Sequence, residues 1–427
     1  MSKNVDEHFD VLIVGAGLAG LSAAGVVKEA GKTYKVLEAS ERAGGKVYSE
    51  ESEDHKRHFE HGAQFVNEDM TEIIQLIKDS GMGLLETNLS DKSIVINEKN
   101  KRPINISMNK DNNLLDDYDI ETHAPLSEVL SEVVNDKWEE RVVKSFIAAE
   151  TTVNSSHINA IAARKMISRI TTQDNELKYQ ADGPLNNVTR YLEKQLEGNI
   201  IYCDPVVSIE KTEDVYQVTT ANDNTYYANA LILAVPPTVA GRIKLPDDVT
   251  QRFKSALDSF VDGAVIKLTY VYDDDFWRHH SVKGREKTIF GVIYVGNEGV
   301  NVMDSSKGDE ENRLTMFIGG DKAKELVNVT PEVRENFALD RLVEVFGDRA
   351  EYYKDIKESI WVDSPYYGGG YGAMIHPDGD DDAAETLSTP FERIVFASTE
   401  LGMAFPYFME GAVQAGRQNA QSLLDSL

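Results

Sequence analysis

FDVLIVGAGLAGLSAAGVVKEAGKTYKVLE, residues 9 to 38, decides the fold. Its opening, FDVLIV, is an unbroken apolar run of the kind that forms a strand buried on both faces. A glycine-rich turn follows, and residues 18 to 30 then carry Leu18, Leu21 and small apolar residues at helical spacing before Gly31. YKVLE, 34 to 38, reads as a second strand. Strand, turn, helix and strand in this order make a βαβ unit, which belongs to an α/β fold with a parallel sheet covered on both faces. Gly15, Gly17 and Gly20 space the turn as GxGxxG. The first glycine permits a tight turn, the second lets backbone approach a pyrophosphate, and the third lets the helix pack closely on the strand. The helix N-terminus adds free N–H groups and about half a positive charge. Glu38 ends the second strand, 23 residues after Gly15, where a carboxylate accepts both ribose hydroxyls and repels a 2′-phosphate. The bland alternative is a chance glycine loop; the combination predicts a dinucleotide site.

Working outward, ERAGGK at 41 to 46 puts the pair Gly44 and Gly45 after Arg42, so a second stretch of backbone can crowd the pyrophosphate. Simple nicotinamide enzymes do not need such a loop. At 427 residues the chain is too long for one ordinary core, and two lobes of roughly 150 to 250 residues with a crevice between them are expected. No apolar stretch approaches the roughly 18 residues that span a bilayer, so membrane insertion is not expected. The start, MSKNVDEHFDVLIVG, lacks the parts of a secretory signal, and the mature protein is expected to begin here. Cys203 is the single cysteine, which excludes an internal disulfide and thiolate-rich metal sites. A reducing, cytoplasmic compartment fits best. With 44 basic and 72 acidic residues the net charge is −28, a sign that repels nucleic acid and anionic membranes. Solubility or salt adaptation explains it blandly; the functional reading is a field that draws cationic substrates.

Met70, Ile73, Ile74 and Ile77 repeat at helical intervals up to Gly81, as do Leu126, Val129, Leu130, Val133 and Val134 after Pro125. From 86 to about 118 the chain is polar and is expected to enter a different lobe; helical patterns predominate from 140 to 195. Strand signals return in VYQVTT at 215 to 220, ALILAVPP at 230 to 237 and AVIKLTYVY at 264 to 272. Lys267 interrupts the last of these. Burying an ammonium costs several kcal/mol unless it is paired, so the lysine either snorkels from an edge strand or has a task. His55, His58 and His61 are spaced by three, but their segment is polar, flanked by strand signals and short of carboxylate or thiolate partners, so solvated histidines and no metal are expected.

A resemblance emerges from these stretches taken together. VLEASERAGGKVYS (36 to 49) is similar to the second signature of the flavin amine oxidase family, which includes monoamine and polyamine oxidases. HGAQF (61 to 65), with Gln64, looks like that family's segment beside the flavin, and ALILAVPPTVAGRI like its strand and Pro-Pro turn. GAVIKLTYVYDDDFWR (263 to 278) resembles the stretch bearing its active-site lysine. WVDSPYYGGGYGAM (361 to 374) and FASTELGMAFPYFMEGAVQAGRQNA (396 to 420) look like its last flavin-contacting segments, nearest the monoamine oxidase branch.

The resemblance implies a Rossmann-like FAD-binding domain from 1 to 82, 183 to 256 and 361 to 427, with an α+β substrate-binding domain, 83 to 182 and 257 to 360, inserted into it. It implies that Lys267 is linked through water to the flavin and assists its reoxidation. Tyr371 and Phe408 become aromatic walls on either side of the path to the flavin; in monoamine oxidases both are tyrosines. Val206, Thr399, Glu400 and Met409 become further cofactor contacts, beside Gly15, Gly17, Gly20, Glu38, Arg42, Gly44, Gly45, Lys46 and Gln64. Where covalent relatives carry a flavin-linking cysteine, this chain has Gly370, so FAD is expected to be held non-covalently. Ser40 and Lys46 stand where arginines are common. The implied reaction takes a hydride equivalent from a neutral amine and passes electrons to O2 or another acceptor. An amino acid oxidase, which needs an arginine for the substrate carboxylate, and a desaturase share this FAD lobe; a flavoprotein without turnover is the rival of another class. Arg141, Arg164 and Arg169 are available in the substrate lobe. A homodimer is among the partners the reading allows, and no membrane-anchoring tail is expected after Leu427.

Overall fold

The computed structural model describes residues 8–53, 57–87, 93–97, 100–104, 115, 120, 122–172, 177–212, 215–282, 285–307 and 311–427. The elements that carry the site are β1 (His8–Val14), α1 (Leu18–Glu29), β2 (Tyr34–Leu37), α2 (Lys137–Thr151), β3 (Thr225–Leu233), β4 (Val265–Tyr272) and α3 (Met409–Asp425).

β1 lies between β2 and β3 and runs parallel to both, with Val14 opposite Leu37 on one side and Leu233 on the other. Val11, Leu12 and Ile13 are wholly buried, which is why β1 is an apolar run rather than an alternating one. The order across this seven-stranded sheet is Ile200–Ile201, β2, β1, β3, Val215–Thr220 and Val206–Thr212, with Ile394–Phe396 also parallel to β3. Residues separated by more than 350 positions therefore meet at the ends of β1 and β3. α1 and α3 cross closely because Gly416 has no side chain: a methyl group there would sit 2.2 Å from Ala19 O.

The second seven-stranded sheet has the order Asp355–Ile360, β4, Asn312–Gly319, Val300–Asp304, Gly291–Tyr294, Ser93–Asn97 and Asn100–Ile104. Its two faces divide by strand alternation. Ile266, Leu268, Met316, Ile318, Val300 and Val302 enter one apolar core, while Lys267, Phe317, Asn301 and Met303 line a cavity on the other face. α2 begins at Asp136, whose carboxylate accepts from the N–H groups of Trp138 and Glu139, an N-cap. Its last turn lies over the sheet, with Ala148 O within 3.3 Å of where a methyl on Gly319 would stand.

The polar stretch after 86 contributes Ser93–Asn97 and Asn100–Ile104 to this second sheet, and the rest of it up to 118, apart from 87 and 115, lies outside the described residues. The helical span from 140 to 195 is interrupted by a strand, Tyr179–Ala181, which pairs with Phe65–Val66 and Leu84–Glu86; three residues are too few to show a period. Among the described residues no helix is long and apolar enough to cross a membrane.

Candidate active site

A cleft of about 460 Å³ opens at the C-terminal ends of β1 and β3. Gly15 turns there with φ +100°, and a side chain would strike Ala234 O at 2.5 Å. A methyl on Gly20 would sit 1.9 Å from Gly15 O, so helix and turn touch through backbone alone. Gly17 is the residue before α1. Gly45, at φ +58°, brings its Cα within 4 Å of a side-chain position on Gly17, and Gly44 bridges to Gly17. Two glycine turns thus close on one another.

Glu38 is buried at the cleft. One oxygen accepts from Ala16 N at 2.7 Å, and the other from Ser40 N at 2.8 Å and Ser40 Oγ at 2.7 Å. A carboxylate has about four acceptor positions, so one remains for a ribose hydroxyl. Arg42 behaves differently from the other candidates. Its guanidinium donates to Gly45 O at 2.7 Å and Val47 O at 3.1 Å, lies 4.5 Å from the Tyr48 ring centroid, and lines neither cavity. Its contribution is the shape of the glycine loop. Ser40, at the other non-arginine position, is occupied with Glu38.

Val206 opens its strand at the cleft, and Thr399 donates to Phe408 O at 2.7 Å. Glu400 accepts from Ala373 N through one oxygen at 3.0 Å; its other oxygen and the Ser398 hydroxyl are buried at the cleft without a hydrogen-bond partner among the described residues. Buried polar atoms are rarely left unpaired, and these two sit where a ligand with hydroxyls and phosphate oxygens would reach them. Together with the methyl-free cradle of Gly15, Gly17 and Gly45, they fit a dinucleotide. Ser398 was not legible in the sequence, because a serine beside a strand end carries no pattern.

A second cavity of about 160 Å³ adjoins the cleft, and Lys46, Tyr371, Tyr407, Phe408 and Met409 line both. Lys46 donates to Tyr371 O at 3.0 Å, and burial depresses its pKa. Lys267 is 3% exposed and central, with Phe317 opposite on one side and Ser359 on the other; the edge-strand reading is excluded. Its ammonium donates to Glu60 O, to Gly62 O at 3.2 Å and to Gln64 Oε1 at 2.7 Å. All three of its N–H donors are thereby taken. Burial, opposed by the Glu60 carboxylate, pushes its pKa down to about 7. Loss of that proton frees a lone pair and one of these contacts, which is the state in which a water could be held. Gln64 passes its amide to Gln180 Oε1 at 2.8 Å.

The two aromatic side chains that the resemblance singles out line one cavity, together with others. Tyr371 and Phe408 both face the second cavity, Tyr371 edge-on to Phe317 at 6.4 Å. Tyr407, not singled out beforehand, stands over Gly372 and donates to Ala373 O at 3.1 Å. Trp361 and Glu150, the latter near the end of α2, also line it. Met409 is the first residue of α3. At Gly370 a methyl group would lie 2.0 Å from Thr152 Oγ1 and 2.8 Å from Gly263 Cα, so packing there admits only glycine. His55 lies outside the described residues. His58 is on a strand and His61 binds Glu50 and Ser359; among the described residues no group of three or more His, Cys, Asp or Glu could hold a metal.

A parallel sheet with two facing glycine turns, a buried carboxylate at the next strand end and a lysine-floored aromatic cavity next door fit a dinucleotide-dependent oxidoreductase. The sequence profile of the flavin containing amine oxidoreductases matches residues 18–118 and 125–424, and the chain belongs to that family. It is therefore an FAD-dependent amine oxidoreductase. Among curated relatives, flavin-containing amine oxidase A of Canis lupus familiaris is 24% identical over 99% of this chain and 86% of its own length. A probable flavin-containing monoamine oxidase A of Dictyostelium discoideum is 27% identical over 98% of both chains. A double mutant of putrescine oxidase redesigned for cofactor binding superimposes with a TM-score of 0.86 at 23% identity, covering 98% of this chain and 99% of the other. Cyclohexylamine oxidase from Brevibacterium oxydans IH-35A gives 0.85 at 20% identity over 98% and 99%. At such identities the structural likeness speaks for the fold.

Proposed function

We propose that the protein oxidises the carbon-nitrogen bond of a small amine to an imine, which water then hydrolyses, with O2 as the acceptor and hydrogen peroxide as its product. FAD, when bound, takes up the hydride equivalent and passes the electron pair on. The observation that carries the reading is the shared wall: Lys46, Tyr371, Phe408 and Met409 border both the nucleotide cleft and the lysine-floored cavity. In this proposal Gly15, Gly17, Gly20, Gly44 and Gly45 admit the pyrophosphate, Glu38 binds ribose, and Val206, Thr399, Glu400 and Met409 complete the cofactor contacts. Arg42 acts through the loop it braces. Tyr371 and Phe408 hold the amine flat between them, their faces favouring a cationic approach, and Lys267 with Gln64 orients water and manages a proton during reoxidation. The family's two-lobe division, at the boundaries given above, agrees with the separation of the two large sheets. Gly370, hemmed in by Thr152, supports non-covalent attachment. A cytoplasmic location, which a single free cysteine supports, and assembly as a homodimer are part of the same proposal.

The amino acid oxidase alternative needs an inward arginine. None of Arg141, Arg164 and Arg169 lines the cavity, whose cations are Lys46 and Lys267; Arg164 and Arg169 are turned to Ile120 O and Glu385. The test is anaerobic bleaching of the flavin by a panel of amines and amino acids. Bleaching by amines alone is expected; a flavin that bleaches with amino acids alone, or with nothing, would reject the proposal.

A further inference from the structure

His61 is 9% exposed and lines the second cavity, whereas the spacing of the three histidines predicts a solvated side chain. It sits in sequence between Glu60 and Gly62, whose carbonyls receive the Lys267 ammonium, and its ring stacks on Tyr48 at 5.0 Å. Both ring nitrogens are engaged: Nε2 lies 2.9 Å from Glu50 Oε2, and Nδ1 lies 2.5 Å from Ser359 Oγ. These partners assign the tautomer. An ionised carboxylate only accepts, so Nε2 carries the hydrogen, and Nδ1 accepts from the serine hydroxyl. Glu50 is held in its ionised form by the hydrogen bond from Lys357 at 2.9 Å, which lowers its pKa, and its side chain is 42% exposed. At the inner end, Ser359 stands directly opposite Lys267 on the neighbouring strand, Asp355–Ile360, so the two side chains share a face, roughly 5 Å apart at Cβ. A line of exchangeable hydrogens therefore runs from the floor of the cavity through Ser359 and His61 to Glu50, and ends in solvent.

We infer that this line, with His61 at its centre, is the proton port of the cavity: it carries out the proton shed by an incoming ammonium and brings back the proton that oxygen consumes. The inference rests on the proposed amine oxidation, whose sum is RCH2NH3+ + O2 → RCH=NH2+ + H2O2. Atoms and charge balance, but the proton comes off before the electron pair does and is needed only when O2 is reduced, so it has to be exchanged in between. Outward, a proton leaving Lys267 through one water reaches Ser359 Oγ, the hydroxyl hydrogen moves to Nδ1, and the imidazolium yields its Nε2 hydrogen to Glu50, which trades it with bulk water. Inward, each transfer reverses. One proton out and one proton in per turnover restores the starting tautomer, so the ring never has to flip within its stack. The charged groups around the imidazole are Glu50, Lys357 and Lys267; burial, with the two lysines adding to it, lowers its pKa against the pull of Glu50, so it passes protons on rather than keeping one.

His61→Gln and Glu50→Gln are compared with the wild-type holoenzyme by stopped flow, the flavin being reduced beforehand with one equivalent of dithionite so that its reoxidation by O2 is read whether or not an amine reduces it. Both variants should reoxidise about tenfold or more slowly near pH 7, the low end of what a positioned proton donor contributes. Imidazole added at constant pH and ionic strength should restore His61→Gln in proportion to its concentration, which a merely structural loss would not allow. Glu50 is at the surface, so Glu50→Gln decides the matter should His61→Gln not fold. Reoxidation of Glu50→Gln within about twofold of wild type overturns the inference, as does a slow His61→Gln that imidazole leaves slow. Independently of turnover, 15N-histidine spectra of the oxidised holoenzyme, assigned by difference from His61→Gln, should show the His61 ring carrying hydrogen on Nε2 alone; a ring protonated on Nδ1 overturns the relay. Failure of the amine oxidation itself would appear as a flavin that dithionite reduces and no amine bleaches, a result separate from the reoxidation rates.

Discussion

Gly20→Ala and Gly25→Ala place the same methyl group on the same helix with opposite consequences. At Gly20 the methyl carbon would lie 1.9 Å from Gly15 O and 3.0 Å from Gly15 C. Ordinary contact begins near 3.4 Å, so α1 must withdraw from the turn by 1.5 Å, the difference between the two values. Gly15 is itself tied down, its N–H donating to Leu37 O at 2.8 Å. Overpacking of this kind costs about 1 to 3 kcal/mol. Spent on the geometry of the pyrophosphate turn, it corresponds to FAD binding weakened about 5- to 150-fold. At Gly25 nothing lies within 4 Å, and replacing a helix-interior glycine by alanine gains about 0.8 to 1 kcal/mol. The assay is titration of deflavinated protein with FAD, followed by flavin fluorescence, with thermal midpoints alongside. Gly20→Ala should bind weakly while Gly25→Ala binds within twofold of wild type and melts higher. A Gly20 variant that keeps full affinity, or a Gly25 variant that loses it equally, would refute the reasoning.

Lys267→Met should slow flavin reoxidation and also change how stability varies with pH. The folded pKa near 7 lies below the unfolded value of 10.5, so between those values the unfolded chain holds more proton and stability climbs with pH. From pH 7 to 8 this amounts to roughly 1 kcal/mol, read as a shift in urea midpoint that the variant lacks; equal slopes would contradict it. Tyr371→Ala and Phe408→Ala should each raise KM about 2- to 30-fold, the worth of an aromatic wall to a cation, and an unchanged KM would remove them from the substrate path. Acid precipitation should release all FAD to the supernatant, and a fluorescent pellet would mean a covalent link. Flavin reduction by amine should accelerate from pH 6 to 9, because only the unprotonated amine donates hydride, whereas a flat profile would show that proton loss is not required.

How much of this was legible in the sequence depends on range. The β1, α1 and β2 unit was readable because its signals are local: an apolar run, three glycines at fixed offsets and Glu38 at the next strand end. Lys267 was readable as an anomaly, a charge in an apolar strand, yet its three acceptors come from residues 60 to 64, some 200 positions away. No periodicity announces such a meeting. Arg42 illustrates the converse. Its place beside two glycines suggests phosphate binding, but a guanidinium with five donors is also the group best suited to gather loop carbonyls, and there it is used. Ser398 was invisible because a single polar residue beside a strand acquires meaning only when its face of the sheet is known. Tyr407 could have been flagged from the YF pair after Pro406, had both neighbours been weighed.

The electrostatics of the molecule point in two directions at once, and the chemistry needs both. A net charge of −28 favours the approach of ammonium ions over long distances. The cavity they reach is floored by Lys267 and bordered by Lys46, and burial depresses the pKa of both. Desolvation that depresses the pKa of two lysines acts in the same direction on a guest amine, and the positive charge of those lysines adds to it. An ammonium drawn in by the surface is therefore pressed toward its neutral form at the place where a neutral amine is wanted. In the proposed reaction the aromatic faces of Tyr371, Phe408 and Phe317, which line the cavity, would ease the cation's passage without fixing its charge, as a carboxylate in the same positions would. Burial, joined by the Glu150 carboxylate near the end of α2, raises the pKa of the Tyr371 hydroxyl, so this wall of the cavity stays an uncharged phenol beside the incoming cation.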